Sequence, residues 1–142
     1  MGDLLALKKE IIKKYGTPCA VVDLNVLEEN ISRVQKLCDN AGVSNRPHIK
    51  THKSGKIARM QLNAGASGIT CQKLGEAEVM ASAGVKDILI ATNVLGAAAS
   101  GALAALQKHI SLKVCADNTY SIKAYSDAAR DAGRVLDVLV EC

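Results

Sequence analysis

A chain of 142 residues, 49% of them apolar and with a formal net charge of +4, is long enough for one globular domain, or one piece of one, with its own core. It has no Phe, no Trp and three Tyr, so that core must be built from Ala, Val, Leu and Ile, a composition suited to helices packed on a parallel sheet. No apolar run of about 18 residues could span a bilayer and nothing at the N-terminus reads as a secretory leader. The five cysteines, odd in number and never spaced C-x-x-C, argue against a disulfide framework and a zinc knuckle, and the expectation is a soluble, cytoplasmic protein.

The first predicted element is a helix over residues 4–15, with Leu4, Leu7, Ile11 and Ile12 on one side and Lys8, Lys9, Lys13 and Lys14 mostly on the other. Lacking Trp or Phe to anchor it at a membrane surface, it reads as a helix packed against protein, an N-terminal extension over residues 1–16. Residues 18–22 read as a strand. Residues 26–40 follow as a helix with apolar Leu27, Ile31, Val34 and Leu37 on one face, opened by a capping box of Asn25 and Glu28. Strands are then expected at 47–51, 67–72, 87–92, 111–115 and 135–141. Helices are expected between them at 55–63, 76–83, 101–108 and 119–132, the last with Asn118 as its N-cap. Ala-Gly recurs at Ala41-Gly42, Ala64-Gly65, Ala83-Gly84 and Ala132-Gly133, where glycine supplies the left-handed end of a helix.

Strands alternating with helices pair in parallel through crossovers, which leaves two architectures, a (βα)8 barrel or an open doubly wound sheet. Both place function at the C-terminal ends of the strands. A barrel takes eight units over roughly 250 residues. About six strands are expected here, and the chain reads as a truncated barrel whose last strand stops unpaired.

The run Arg46-Pro47-His48-Ile49-Lys50-Thr51-His52-Lys53 carries the chemistry. On a strand, His48, Lys50 and His52 would point to the same side, in a barrel the interior, and two histidines with a lysine among aliphatic side chains are hard to explain by packing. Burial and neighbouring cations would favour a neutral amine able to attack an aldehyde. The rival readings are a solvated basic edge strand and a nucleic-acid-binding patch from Arg46 to Arg59. The patch lacks interleaved aromatics, and no nucleic-acid or membrane partner is expected. His48 and His52 have no third ligand at suitable spacing, so no metal site is assigned to this chain.

Thr17-Pro18 before a strand ending in Asp23, then the run from Arg46 to Lys53, then Gly68-Ile69-Thr70-Cys71-Gln72-Lys73-Leu74-Gly75-Glu76-Ala77-Glu78 and Asp87-Ile88-Leu89-Ile90-Ala91-Thr92-Asn93, resemble the D-threonine aldolase and D-serine dehydratase-like family. The resemblance runs in order from about Thr17 to the C-terminus. It implies an α/β fold, a partial TIM-type (βα)8 barrel of the alanine racemase N-terminal kind over residues 17–142, with pyridoxal 5'-phosphate held by Lys50. His48, His52, Gln72, Thr92 and Asp117, with Thr51 and Asn93, are candidates to surround the cofactor.

The function the resemblance implies is a lyase acting on D-3-hydroxy amino acids, by aldol cleavage of D-threonine-like substrates or by dehydration of D-serine. A small D-amino acid would be the substrate and the full-length protein a homodimer. The family's phosphate-binding loops and its divalent metal would lie beyond Cys142, so this chain alone is expected to be an inactive fragment. A non-catalytic pyridoxal-phosphate-binding protein and a phosphate- or nucleic-acid-binding open α/β domain are the alternatives. Asp23 and Glu76 also have ordinary readings, Asp23 as a cap and Glu76 as an acid in the first turn of a helix.

Overall fold

The structure, a computed structural model, describes residues 2–96 and 98–142. The chain forms two compact units, Met1–Asn30 and Ile31–Cys142. In the first, helix α1 (Gly2–Tyr15) ends at Gly16, whose φ of 76° turns the chain and whose N–H donates to Ile12 O at 2.9 Å. The strand expected at 18–22 is not formed. That segment is exposed and makes no ladder in this chain.

Helix α2 (Leu24–Asn40) starts earlier than the sequence pattern suggested. The Asp23 carboxylate accepts from Asn25 N–H at 2.9 Å and Val26 N–H at 3.3 Å, so Asp23 is the cap and Asn25 lies inside the first turn. The capping box of Asn25 and Glu28 is thereby corrected.

In the second unit, α3 (Gly55–Asn63), β1 (Ile69–Cys71), α4 (Leu74–Ser82), β2 (Asp87–Ile90), α5 (Ala99–Gln107), β3 (Ser111–Ala116), α6 (Thr119–Ala132) and β4 (Asp137–Val140) follow in order. The four strands pair in parallel in sequence order, β1-β2-β3-β4, each linked to the next through a helix. One row of the register runs Thr70, Leu89, Lys113, Asp137 across the sheet.

Period-two alternation then decides what each face holds. Ile69, Cys71, Ile88, Ile90, Leu112 and Val114 point into a core closed by Ala58, Ala77, Met80, Leu103, Tyr125 and Ala128 of the helices. Leu89, Lys113 and Cys115 occupy the other face, half-buried. All four residues of β4 are exposed.

The helices 55–63 and 119–132 appear with the expected bounds, and the other helices of this unit begin two residues early. All four Ala-Gly pairs place glycine at positive φ. At Gly133, φ 64°, this lets the N–H reach Arg130 O at 3.1 Å and close α6. Among the described residues no helix is long and apolar enough to cross a membrane.

Of about six expected strands, four form. The segment 47–51 contributes a single parallel bridge, His48 to Thr70, beside β1.

Candidate functional site

The functional run enters beside β1 and leaves it at once. Thr70 N–H donates to Pro47 O and Ile49 N–H to Thr70 O, both at 2.9 Å, and Ile49 is driven fully into the core. Ile49 O then accepts two bonds from further along its own chain, His52 N–H at 3.2 Å and Lys53 N–H at 2.8 Å. An oxygen committed twice to a turn cannot continue a ladder, so residues 50–52 turn where a strand was expected. The alternation expected of His48, Lys50 and His52 therefore does not run past Ile49, and Lys50 is exposed. The turn closes at Lys53, the one non-glycine residue of positive φ (48°) among the described residues.

Both imidazoles are half-buried. His48 Nδ1 accepts from Lys50 N–H at 3.2 Å and His52 Nδ1 from Ser54 N–H at 3.0 Å. With Nδ1 used as an acceptor, a neutral ring carries its proton on Nε2, and the His48 Nε2 atom is buried without a partner. Burial lowers the His52 pKa, which favours that neutral form. The His48 Nε2 donor thus stands unused, whereas His52 has the Gln61 side chain on α3 beside it as an acceptor. An unsatisfied buried donor is uncommon enough to point to a missing acceptor.

The remaining candidates lie along the C-terminal rim of the sheet. Gln72 follows β1 directly. Its N–H donates to Glu76 Oε2 at 2.8 Å and its carbonyl accepts from Thr92 Oγ at 2.6 Å, which ties the ends of β1 and β2. Asn93 Nδ2 donates to Asp117 Oδ1 at 2.7 Å, and Asn118 Nδ2 binds the same oxygen, so Asp117 joins the ends of β2 and β3 and is not the backbone cap of α6. That cap is Asn118, which accepts from Ser121 N–H at 2.9 Å, as expected. Asn93 Oδ1 is buried without a partner. Thr92 and Asn93 line a cleft of about 570 Å³ together with Lys73, Gly75, Val94 and Ala99. The structure thus brings Gln72, Thr92 and Asp117 onto one rim and sets the turn after Ile49 beside the C-terminal end of β1, on that same rim.

Three features were not assigned from the pattern of residues. The first is the Lys53–Glu76 ion pair at 3.0 Å, which joins the turn to the first turn of α4. Burial raises the Glu76 pKa, but the Gln72 N–H and the Lys53 ammonium outweigh it and the net shift is downward. The second is Tyr125, whose hydroxyl accepts from Val94 N–H at 2.8 Å and donates to Cys115 O at 3.0 Å, pinning the loop after β2 to β3. The third sits at the opposite end of the sheet, where Asp87 is shared by Arg46 at 2.6 Å and Lys113 at 2.9 Å.

Spacing hints at the first of these, since Glu76 stands four residues after a strand end, but pairing with Lys53 depends on a turn that the sequence did not reveal. Cys71, on the core side of β1, is pushed up to about 12 by burial and by the Glu76 charge, which removes it as a nucleophile. Among the described residues no three His, Cys, Asp or Glu side chains gather to hold a metal ion. The chemistry left to this rim is that of an accessible amine beside a buried hydrogen-bond donor.

Residues 22–142 match the family described as alanine racemase, N-terminal domain. Over 130 residues the chain is 40% identical to a D-threonine aldolase of Arthrobacter sp, a match covering 92% of this chain and 34% of that protein. Over 133 residues it is 39% identical to a D-threo-3-hydroxyaspartate dehydratase of Delftia sp., covering 94% and 35%. The crystal structure of D-threonine aldolase from Filomicrobium marinum aligns with a TM-score of 0.86 at 40% identity, covering 89% of this chain and 34% of that one. The chain spans about a third of the length of the relatives it matches.

Proposed function

The chain belongs to the alanine racemase N-terminal domain family, and from that premise we propose that it is the N-terminal part of a pyridoxal-phosphate-dependent lyase acting on D-configured 3-hydroxy amino acids. Its parallel sheet is then an arc of the TIM-type barrel of that family, and its relatives include proteins named as an aldolase and a dehydratase for such compounds. On this reading the reaction is aldol cleavage of D-threonine-like substrates or dehydration of D-serine. The full-length protein works in the cytoplasm as a homodimer.

One observation carries the assignment of the site. Lys50 presents an exposed amine from a turn beside the parallel sheet, and the histidine two residues before it keeps a buried, unpartnered Nε2. These residues fit an aldehyde cofactor bearing polar oxygens, because the amine can reach a carbonyl carbon and the buried His48 Nε2–H lacks an acceptor. Lys50 would hold the cofactor, His48 would donate to its oxygens or to those of the substrate, and His52, Gln72, Thr92 and Asp117 would shape the rim around it.

When bound, the cofactor supplies an electron sink for the bond broken at the substrate carbon. A divalent metal polarising the substrate hydroxyl would take its ligands outside the described residues of this chain.

The test is covalent trapping. Protein incubated with pyridoxal phosphate, reduced with borohydride and mapped by peptide mass should carry the pyridoxyl group on Lys50, and Lys50→Arg should abolish it without changing the circular dichroism. A tag on a different lysine, or no tag at all, overturns the proposal.

A further inference from the structure

The turn that carries Lys50 ends on a residue with two unusual properties. Lys53 adopts a left-handed backbone conformation, φ 48°, that bulky side chains rarely take and that glycine or asparagine would enter without strain. Its ammonium also reaches across to Glu76 Oε1 at 3.0 Å. Lys53 is largely exposed and has water available, whereas Glu76 is 7% exposed and gives both oxygens to fixed partners, the second being Gln72 N–H at 2.8 Å. A buried carboxylate in the first turn of α4 thus grips the end of β1 with one oxygen and the turn 50–53 with the other.

The other bonds on that turn are local: two donors on Ile49 O, and Lys50 N–H on His48 Nδ1. They set the shape of the turn. At its far end the turn runs into α3, where Ser54 is the N-cap and donates its N–H to His52 Nδ1 at 3.0 Å, and the grip from Glu76 ties that end across to the end of β1 and to α4.

We propose that Glu76 is a positioning residue for Lys50, acting through Lys53 to fix the turn against the end of β1 so that the amine meets an incoming aldehyde in one orientation. This rests on the reading of Lys50 as the cofactor lysine and adds to it the part that holds the lysine still. Removing the tie lets the turn shift relative to the end of β1, and a displacement of about 1 Å at the reacting atom is enough to slow a step up to about a hundredfold.

The test uses the full chain and two independent measurements, amide hydrogen exchange at His52 and Lys53, and the rate of borohydride trapping of pyridoxal phosphate at Lys50 relative to the exposed Lys86. The variants are Glu76→Gln, which keeps an acceptor but loses the charge, and Lys53→Gly, which relieves the backbone while deleting the ammonium. Each should speed exchange at the two amides and slow trapping at Lys50 by about tenfold or more. The double variant should be no worse than either single one, and Lys53→Arg should recover most of the rate.

If turn geometry alone mattered, Lys53→Gly would trap as fast as the parent or faster, and that result overturns the proposal, as does unchanged exchange in either variant. If Glu76→Gln fails to fold, Lys53→Gly carries the same decision. Failure of the parent protein to trap at Lys50 refutes the cofactor assignment instead, and exchange at the turn still decides whether the grip exists.

Discussion

Replacing Tyr125 by Phe removes one oxygen and leaves the ring, so its effect isolates a single polar link. That oxygen accepts from Val94 N–H at 2.8 Å and donates to Cys115 O at 3.0 Å, and both Tyr125 and Val94 are buried. The aromatic ring keeps its packing, so the transfer and cavity contributions are small. What remains is a buried amide without an acceptor, costing about 1–3 kcal/mol, with a smaller loss from the carbonyl side. Taking about 2 kcal/mol and a urea dependence of about 2 kcal/mol per molar, the midpoint of unfolding falls by roughly 1 M.

The assay is urea denaturation followed by circular dichroism, combined with hydrogen exchange at the Val94 amide. Because Tyr125 fixes the loop carrying Thr92 and Asn93, exchange at Val94 should rise even under conditions where the protein stays folded. A midpoint shift below about 0.2 M, together with unchanged exchange at Val94, would refute the account of Tyr125 as the anchor of that loop.

Two further outcomes follow from the opposite end of the sheet and from the paired carboxylates Glu76 and Asp87. Gly68→Ala places a Cβ 2.8 Å from Asp87 O and against the Arg46 guanidinium, which has to leave its ion pair, so a loss of about 1–3 kcal/mol in the same denaturation assay is expected. Combining it with Arg46→Ala should give less than the sum of the single effects, because part of the clash has been removed. Glu76 and Asp87 both titrate below their ordinary values. For each, burial acts upward and is outweighed, by Gln72 N–H and Lys53 at Glu76 and by Arg46 and Lys113 at Asp87. A depressed folded-state pKa means stability is full above the ordinary values of 4.5 and 3.8 and declines as pH falls below them. Melting temperatures should therefore drop in acid, and Asp87→Asn combined with Glu76→Gln should flatten that drop.

The parts of the fold that local chemistry determines were legible in the sequence. The helices at 55–63 and 119–132 carry their own stop signals in Ala64-Gly65 and Ala132-Gly133, and Asn118 caps its own helix, so these elements were read with their full bounds. Strands depend on partners distant in sequence, and there the reading fell short. Residues 18–22 have the composition of a strand but make no ladder, and residues 47–51 keep one bridge because Ile49 O is taken by the turn. The start of α2 was missed for a smaller reason. Asp23 and Asn25 are both good caps, and only the backbone shows that Asp23 fills the role.

Lys50 was found through its neighbours in sequence, and the inference about its surroundings was reversed by the turn. Spacing of two along the chain puts side chains on one face only while the backbone stays extended. Here it does not beyond Ile49: Ile49 enters the core, His48 and His52 are half-buried and Lys50 is exposed. The buried Nε2 atom of His48, without a partner, is the donor beside Lys50 that the proposed cofactor site would use. Orientation falls to Glu76 and Lys53, whose pairing no local pattern could show, because it joins two segments through a backbone conformation that lysine seldom adopts.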